Sequence, residues 1–119
     1  MSEIRDFKDL MIWQKGMTIA EKCFFLTQKF PREERYGMIQ QIRRASSSIP
    51  ANISEGYARR SVGDYKRFLS IAQGSINELQ TFLLLAVKVR LCTEKDIEFI
   101  INSLKEESRM ITSLINKLS

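Results

Sequence analysis

Apolar and small residues recur along this chain in steps of three and four, the spacing that keeps side chains on one face of a helix. One such stripe is Ile39, Ile42, Ser46, Ile49, Ile53 and Gly56, and its phase runs straight through Pro50. A loop normally resets the phase, so the pattern predicts one continuous helix kinked by proline, in preference to two helices with Pro50 in a first turn. Pro50 lacks an N–H and crowds the carbonyl of Ser46, which then needs another donor, either from the hydroxyls of residues 46–48 or from a neighbouring helix.

Three other helices follow from the same periodicity. The stripe Leu10, Trp13, Met17, Ala20 and Phe24 predicts a first helix that begins after Asp6 or Asp9 and reaches about Lys29. Phe30-Pro31-Arg32 breaks it, because the residue before proline is biased away from helical geometry. The second helix starts near Glu33 or Glu34, whose charges favour an N-terminus, and continues to about Arg60. Ser61 and Asp64 stand at capping-box spacing before a third helix with two overlapping stripes, Tyr65/Phe68/Ala72/Ser75/Leu79/Phe82/Ala86 and Leu69/Ala72/Ile76/Leu79/Leu83/Ala86. So wide an apolar face belongs at a bundle centre or a subunit contact. Gly74, beside Ala72 and Ser75, predicts a close helix approach. Thr93 caps a fourth helix striped by Ile97, Ile101, Leu104, Ser108, Ile111, Ile115 and Leu118. The expectation is an all-α chain: an antiparallel up-down-up-down four-helix bundle, a single domain over residues 1–119, with a proline-kinked second helix.

Composition narrows the functional classes. With 44% hydrophobic and 28% charged residues, the 119-residue chain has the makeup of a globular domain with one core. Glu3 and Asp6 stand where a secretory leader would be basic, and the longest uncharged apolar stretch, residues 82–87, is far below the ~20 residues of a membrane span. Cys23 and Cys92 lie far apart, and no histidine exists to complete a metal set. Free thiols in a reducing cytoplasm, no metal, no cofactor and no membrane are therefore expected. The serine triplet at residues 46–48 has no histidine to act as base, and Glu-x-x-His di-metal motifs cannot occur. A catalytic role is not expected.

The net charge of +5 is unevenly spread. Residues 32–67 hold eight basic and four acidic groups, whereas residues 68–119 hold six of each. Arginine dominates this excess, and its planar donors suit phosphate or carboxylate. Arg43, Arg44, Arg59, Arg60, Lys66 and Arg67 are thus the candidate nucleic-acid-binding residues, with solubilising and helix-capping roles as the alternative. Trp13, Tyr36, Tyr57 and Tyr65 are aromatics able to stack on bases, although at helical spacing such residues more often belong to a core.

Asp6-Phe7 through Leu10-x-Ile12-Trp13-Gln14-Lys15-Gly16-Met17, then Phe30-Pro31-x-x-Glu34-x-Tyr36-Gly37-Met38, carry a family resemblance. So do Ile42-Arg43-Arg44-Ala45, Ser48-Ile49-Pro50-Ala51-Asn52-Ile53-Ser54-Glu55-Gly56 and Phe68-Leu69-x-Ile71-Ala72-x-Gly74-Ser75-x-x-Glu78-Leu79. Over nearly the whole chain these residues resemble the four-helix-bundle proteins encoded by intervening sequences of bacterial large-subunit ribosomal RNA genes. Ser46, Ser47 and Ser54 depart from the alanine or other small residue expected there. A more distant resemblance is to the accessory protein of diversity-generating retroelements, which works with a reverse transcriptase and nucleic acid. The resemblance implies a four-helix bundle that assembles as a homopentamer and has no known catalytic activity. Two functional expectations stand side by side: an oligomeric bundle that binds RNA or another nucleic acid through its arginine-rich second helix, and a structural or protein-interaction module with no nucleic-acid role.

Overall fold

The computed structural model of the chain describes residues 3–119. Asp6 accepts a hydrogen bond from the Lys8 N–H at 2.7 Å and opens a short 3-10 turn, Phe7–Asp9, that leads into α1, Met11–Gln28. The face of α1 that enters the core is Ile12, Gly16, Ile19, Cys23 and Leu26. The expected stripe lies one residue further round, a rotation of about 100°. Ala20 from that stripe is buried, but Met17 and Phe24 face outward. α1 therefore carries two apolar ridges, and only one is covered within the protomer.

Helical backbone resumes at Arg32, in a 3-10 turn over Arg32–Glu34 and a wider π-turn over Arg35–Ile39. At Gly37 the path leaves helical geometry, with φ −108° and ψ −108°. α2 proper is Gln40–Tyr57, so the helix expected from Glu33 or Glu34 to Arg60 is interrupted at its start and ends a little earlier. It runs without a break through Pro50, and Ile42, Ser46, Ile49, Ile53 and Gly56 are buried in the expected phase. The hydroxyls of Ser46 and Ser47 donate to the Arg43 carbonyl at 3.1 and 2.8 Å, and that of Ser48 to the Ala45 carbonyl at 2.8 Å. They serve carbonyls ahead of the proline's own partner, Ser46, rather than the acceptor that Pro50 leaves free.

Ser61 accepts from the Asp64 N–H at 3.1 Å and starts α3, Val62–Lys88. Leu69, Ala72, Ile76, Leu79, Leu83 and Ala86 form its inner face. α3 closes with the Leu91 N–H on the Ala86 carbonyl at 2.9 Å and the Arg90 N–H on the Val87 carbonyl at 3.0 Å, a turn that puts Arg90 at φ 67°. α4, Glu94–Lys117, opens with a reciprocal box: Thr93 accepts from the Asp96 N–H at 3.2 Å, and Asp96 accepts from the Thr93 N–H at 2.9 Å.

Consecutive helices pack side by side and α4 returns to α1, closing a four-helix bundle. The core is a column of aliphatic side chains, among them Ile19, Ile42, Ile49, Ile53, Leu69, Ile76, Leu79, Leu83, Leu104 and Ile111. Each contributes roughly 1.5–3 kcal/mol when fully removed from water. Gly56, not Gly74, marks the tightest approach. A Cβ on Gly56 would lie 2.8 Å from the Phe68 Cβ, whereas one on Gly74 would meet open space. The molecule measures 44 × 26 × 20 Å, and among the described residues no helix is long and apolar enough to cross a membrane.

Candidate nucleic-acid interface

The six candidate basic residues fall into two groups. Arg43 and Arg44 lie in the first turns of α2, whereas Arg59, Arg60, Lys66 and Arg67 surround the turn between α2 and α3. Fifteen residues at a 1.5 Å rise separate Arg44 from Arg59, about 22 Å along the helix.

In the first group, Arg43 lies with its guanidinium carbon 4.6 Å from the centroid of Phe24 on α1. Its Nε donates to Thr27 Oγ1 at 2.9 Å and its Nη2 to the Phe24 carbonyl at 3.5 Å. Arg44 donates through Nη2 to Glu78 Oε2 on α3 at 2.7 Å and through Nε and Nη2 to Gln41 Oε1. Its charge is balanced by that carboxylate, whose hydrogen bond raises the Arg44 pKa further above its ordinary value. Both arginines thus tie α2 to a neighbouring helix.

The second group is built differently. The guanidinium carbons of Arg59 and Arg67 both lie 4.6 Å from the centroid of Phe68. Arg59 pairs with Glu55 one turn back at 2.9 Å, and Arg67 with Asp64 at 3.8 Å. Among the described residues, Arg60 and Lys66 make no side-chain hydrogen bond or ion pair. Both guanidinium groups lie against one half-buried phenylalanine ring, which restrains side chains that would otherwise be mobile, and Arg60 and Lys66 add charge beside them.

Two grooves flank α1 and α2. One, of about 510 Å³, is mostly apolar and is lined by Phe7, Trp13, Met17, Ala20 and Phe24 on one side and Ser47, Pro50, Ala51 and Ser54 on the other. Met17 and Phe24 are the outward-facing members of the stripe that the periodicity predicted for α1. The other, of about 410 Å³, joins Phe24, Arg35, Tyr36, Ile39, Gln40, Arg43, Arg44 and Ser47. Trp13 packs edge-on against Phe7 at 5.3 Å and Tyr57 against Tyr65 at 6.2 Å, as core-type aromatics do. Tyr36, by contrast, is 83% exposed. Tyr36 was among the aromatics expected to be able to stack on bases, whereas Arg35 was not among the expected basic residues; its place in the sequence beside Tyr36 and Gly37 was the available signal.

With this geometry in hand, comparison with known proteins is decisive on ancestry. The model of the family described as 23S rRNA-intervening sequence protein matches residues 8–113. The chain belongs to that family. No curated protein matches it. A crystal structure of a protein of unknown function from the S23 ribosomal protein family of Bacteroides thetaiotaomicron is similar, with 26% identity and a TM-score of 0.79. The match covers 88% of this chain and 98% of that one. The chain thus shares its all-α fold with that protein along most of its length.

Proposed function

We propose that this intervening-sequence protein is a non-catalytic, cytoplasmic bundle that assembles as a homo-oligomer, expected to be a pentamer, and holds the phosphate backbone of RNA through its basic surface. The observation that carries the reading is the α2–α3 turn, where Arg59 and Arg67 are held on Phe68 beside Arg60 and Lys66. Four cations there outnumber Glu55 and Asp64, and arginines already fixed in place lose less entropy on meeting a phosphate. The family's printed description ties it to ribosomal RNA, which makes that polyanion the first ligand to test. Assembly is supported by outward-facing Met17, Phe24, Ile71, Leu84, Leu85 and Val89. Oligomerisation repeats the basic turn and raises avidity for one long strand. Against catalysis stand the serine hydroxyls, which donate to backbone carbonyls, with Ser48 also within hydrogen-bond distance of the Ser75 hydroxyl at 2.6 Å.

Titration of a ribosomal RNA fragment at several salt concentrations tests the proposal. Each phosphate contact should add roughly 0.7 to the slope of log affinity against log salt on single strands and 0.9 on duplex DNA. Replacing Arg59, Arg60, Lys66 and Arg67 with Gln should weaken binding across RNA sequences and flatten that slope. Replacing Arg43 and Arg44 should do so too, but with some loss of stability, because both brace helices. If the wild type binds no RNA at low salt, the apolar groove on α1 and α2 favours the protein-interaction module instead. Light scattering after size exclusion decides the assembly, and a monomer at micromolar concentration refutes it.

A further inference from the structure

Of the four aromatics able to stack on a base, Trp13, Tyr57 and Tyr65 are engaged in packing, and Tyr36 alone is left almost wholly in solvent. Tyr36 stands immediately before the kink at Gly37, where the backbone leaves helical geometry with φ −108° and ψ −108° ahead of α2. Tyr36 and Arg35 line the same groove as Arg43. Arg35 makes no side-chain hydrogen bond or ion pair among the described residues, so its full donor set is available. Arg43 is held in place by Thr27 and by the Phe24 ring, yet those bonds occupy only two of its five N–H groups. Arg44, neutralised by Glu78, forms a wall rather than a charge. Glu34 is absent from the lining, and its Oε1 lies 3.4 Å from where a Cβ on Gly37 would stand. The groove is a shallow, open one of about 410 Å³.

We propose that this groove seats one base of a single-stranded nucleic acid, with Tyr36 against the base and Arg35 and Arg43 on the flanking phosphates. The inference rests on the nucleic-acid reading above and gives it a second, strand-selective contact. The basic turn between α2 and α3 offers charge alone and accepts single strands and duplexes alike. The Tyr36 groove needs an unpaired base, because a duplex keeps its base faces stacked on one another.

The test is fluorescence anisotropy of the full-length protein with a labelled ten-nucleotide oligo(A) and with an RNA hairpin of duplex stem. Tyr36→Ala should weaken oligo(A) binding about 5- to 150-fold, the range of one base–aromatic stack, with an unchanged salt slope and unchanged hairpin affinity. Tyr36→Phe should bind as the wild type does. Arg35→Gln should lower the slope on oligo(A) by about 0.7. Circular dichroism should be unchanged in all three, because neither side chain supports the core. Oligo(A) affinity that survives Tyr36→Ala but is lost on replacing Arg59, Arg60, Lys66 and Arg67 overturns the stacking seat and leaves the basic turn standing. AMP competing at the same concentration as oligo(A) overturns the strand as ligand. A wild type that binds neither RNA overturns both readings.

Discussion

Glu107 on α4 points its carboxyl at Gly16 on α1, with Oε2 only 3.2 Å from the position a Cβ would occupy there. Pro50 of α2 closes the same space, its Cβ and Cδ each 3.4 Å from that position. Glu107 is completely buried, and neither carboxyl oxygen has a hydrogen-bond partner. Burial pushes its pKa up to about 8, against a smaller downward pull from Lys15. The Lys15 amine itself sits 3.2 Å from Glu106. A glycine on one helix and a proline on another thus make room for an acid that is neutral in the folded chain at pH 7.

That arrangement makes stability depend on pH. Because the folded value of about 8 lies above the ordinary 4.5, the folded chain keeps a proton that the unfolded chain has lost between those limits. The contribution of Glu107 to stability is fully present below pH 4.5, falls as pH rises toward 8 and levels off beyond it. Each pH unit of that interval is worth at most about 1.4 kcal/mol. Glu107→Gln should remove this slope, matching the wild type near pH 4 and exceeding it at pH 9 in urea unfolding. A difference between the two proteins that is the same at every pH would refute the assignment.

Two glycines inside helices should respond in opposite senses. Gly74→Ala adds a methyl group in open space and should stabilise by up to about 1 kcal/mol. Gly56→Ala would drive a Cβ to 2.8 Å from the Phe68 Cβ. Overpacking of about 1–3 kcal/mol should then outweigh the helix gain. Thermal unfolding of both variants checks this, and a stabilised Gly56→Ala would show that α2 and α3 can separate freely.

Arg90 occupies the left-handed position that ends α3, where a side chain costs roughly 1–2 kcal/mol relative to glycine. Arg90→Gly should therefore raise stability by about 1 kcal/mol, less the added freedom of the unfolded chain. Denaturant midpoints measure it, and a loss of stability would mean that the arginine side chain contributes a contact of its own.

The cysteines should differ in reactivity. Cys23 is fully buried and its thiol is pushed up to about 12 by burial, while half-buried Cys92 is raised by burial and by the charge of Asp96. At pH 8 a thiol reagent should label Cys92 slowly and leave Cys23 untouched, and two thiols should react after unfolding under protection from air. Rapid labelling of Cys23 in the native protein would show that the bundle opens near α1.

Much of the fold is a local matter, and local patterns are written in sequence. The Ser61 and Thr93 caps, the unbroken phase through Pro50 and the inner face of α3 each depend on residues within a turn or two of one another. The orientation of α1 does not. With two apolar ridges one residue apart, only the positions of α2 and α4 decide that Ile12, Ile19 and Cys23 go inward while Met17 and Phe24 line a groove. Glu107 stands three residues after Leu104 and four before Ile111, on the core face by period, yet an acid there reads as solvent-exposed until Gly16 and Pro50 are seen across from it. The basic residues follow the same rule. Their number and order are a property of the chain, but Arg43 meets Thr27 and Arg44 meets Glu78 only because packed helices bring distant positions together, and such pairings decide which charges remain available.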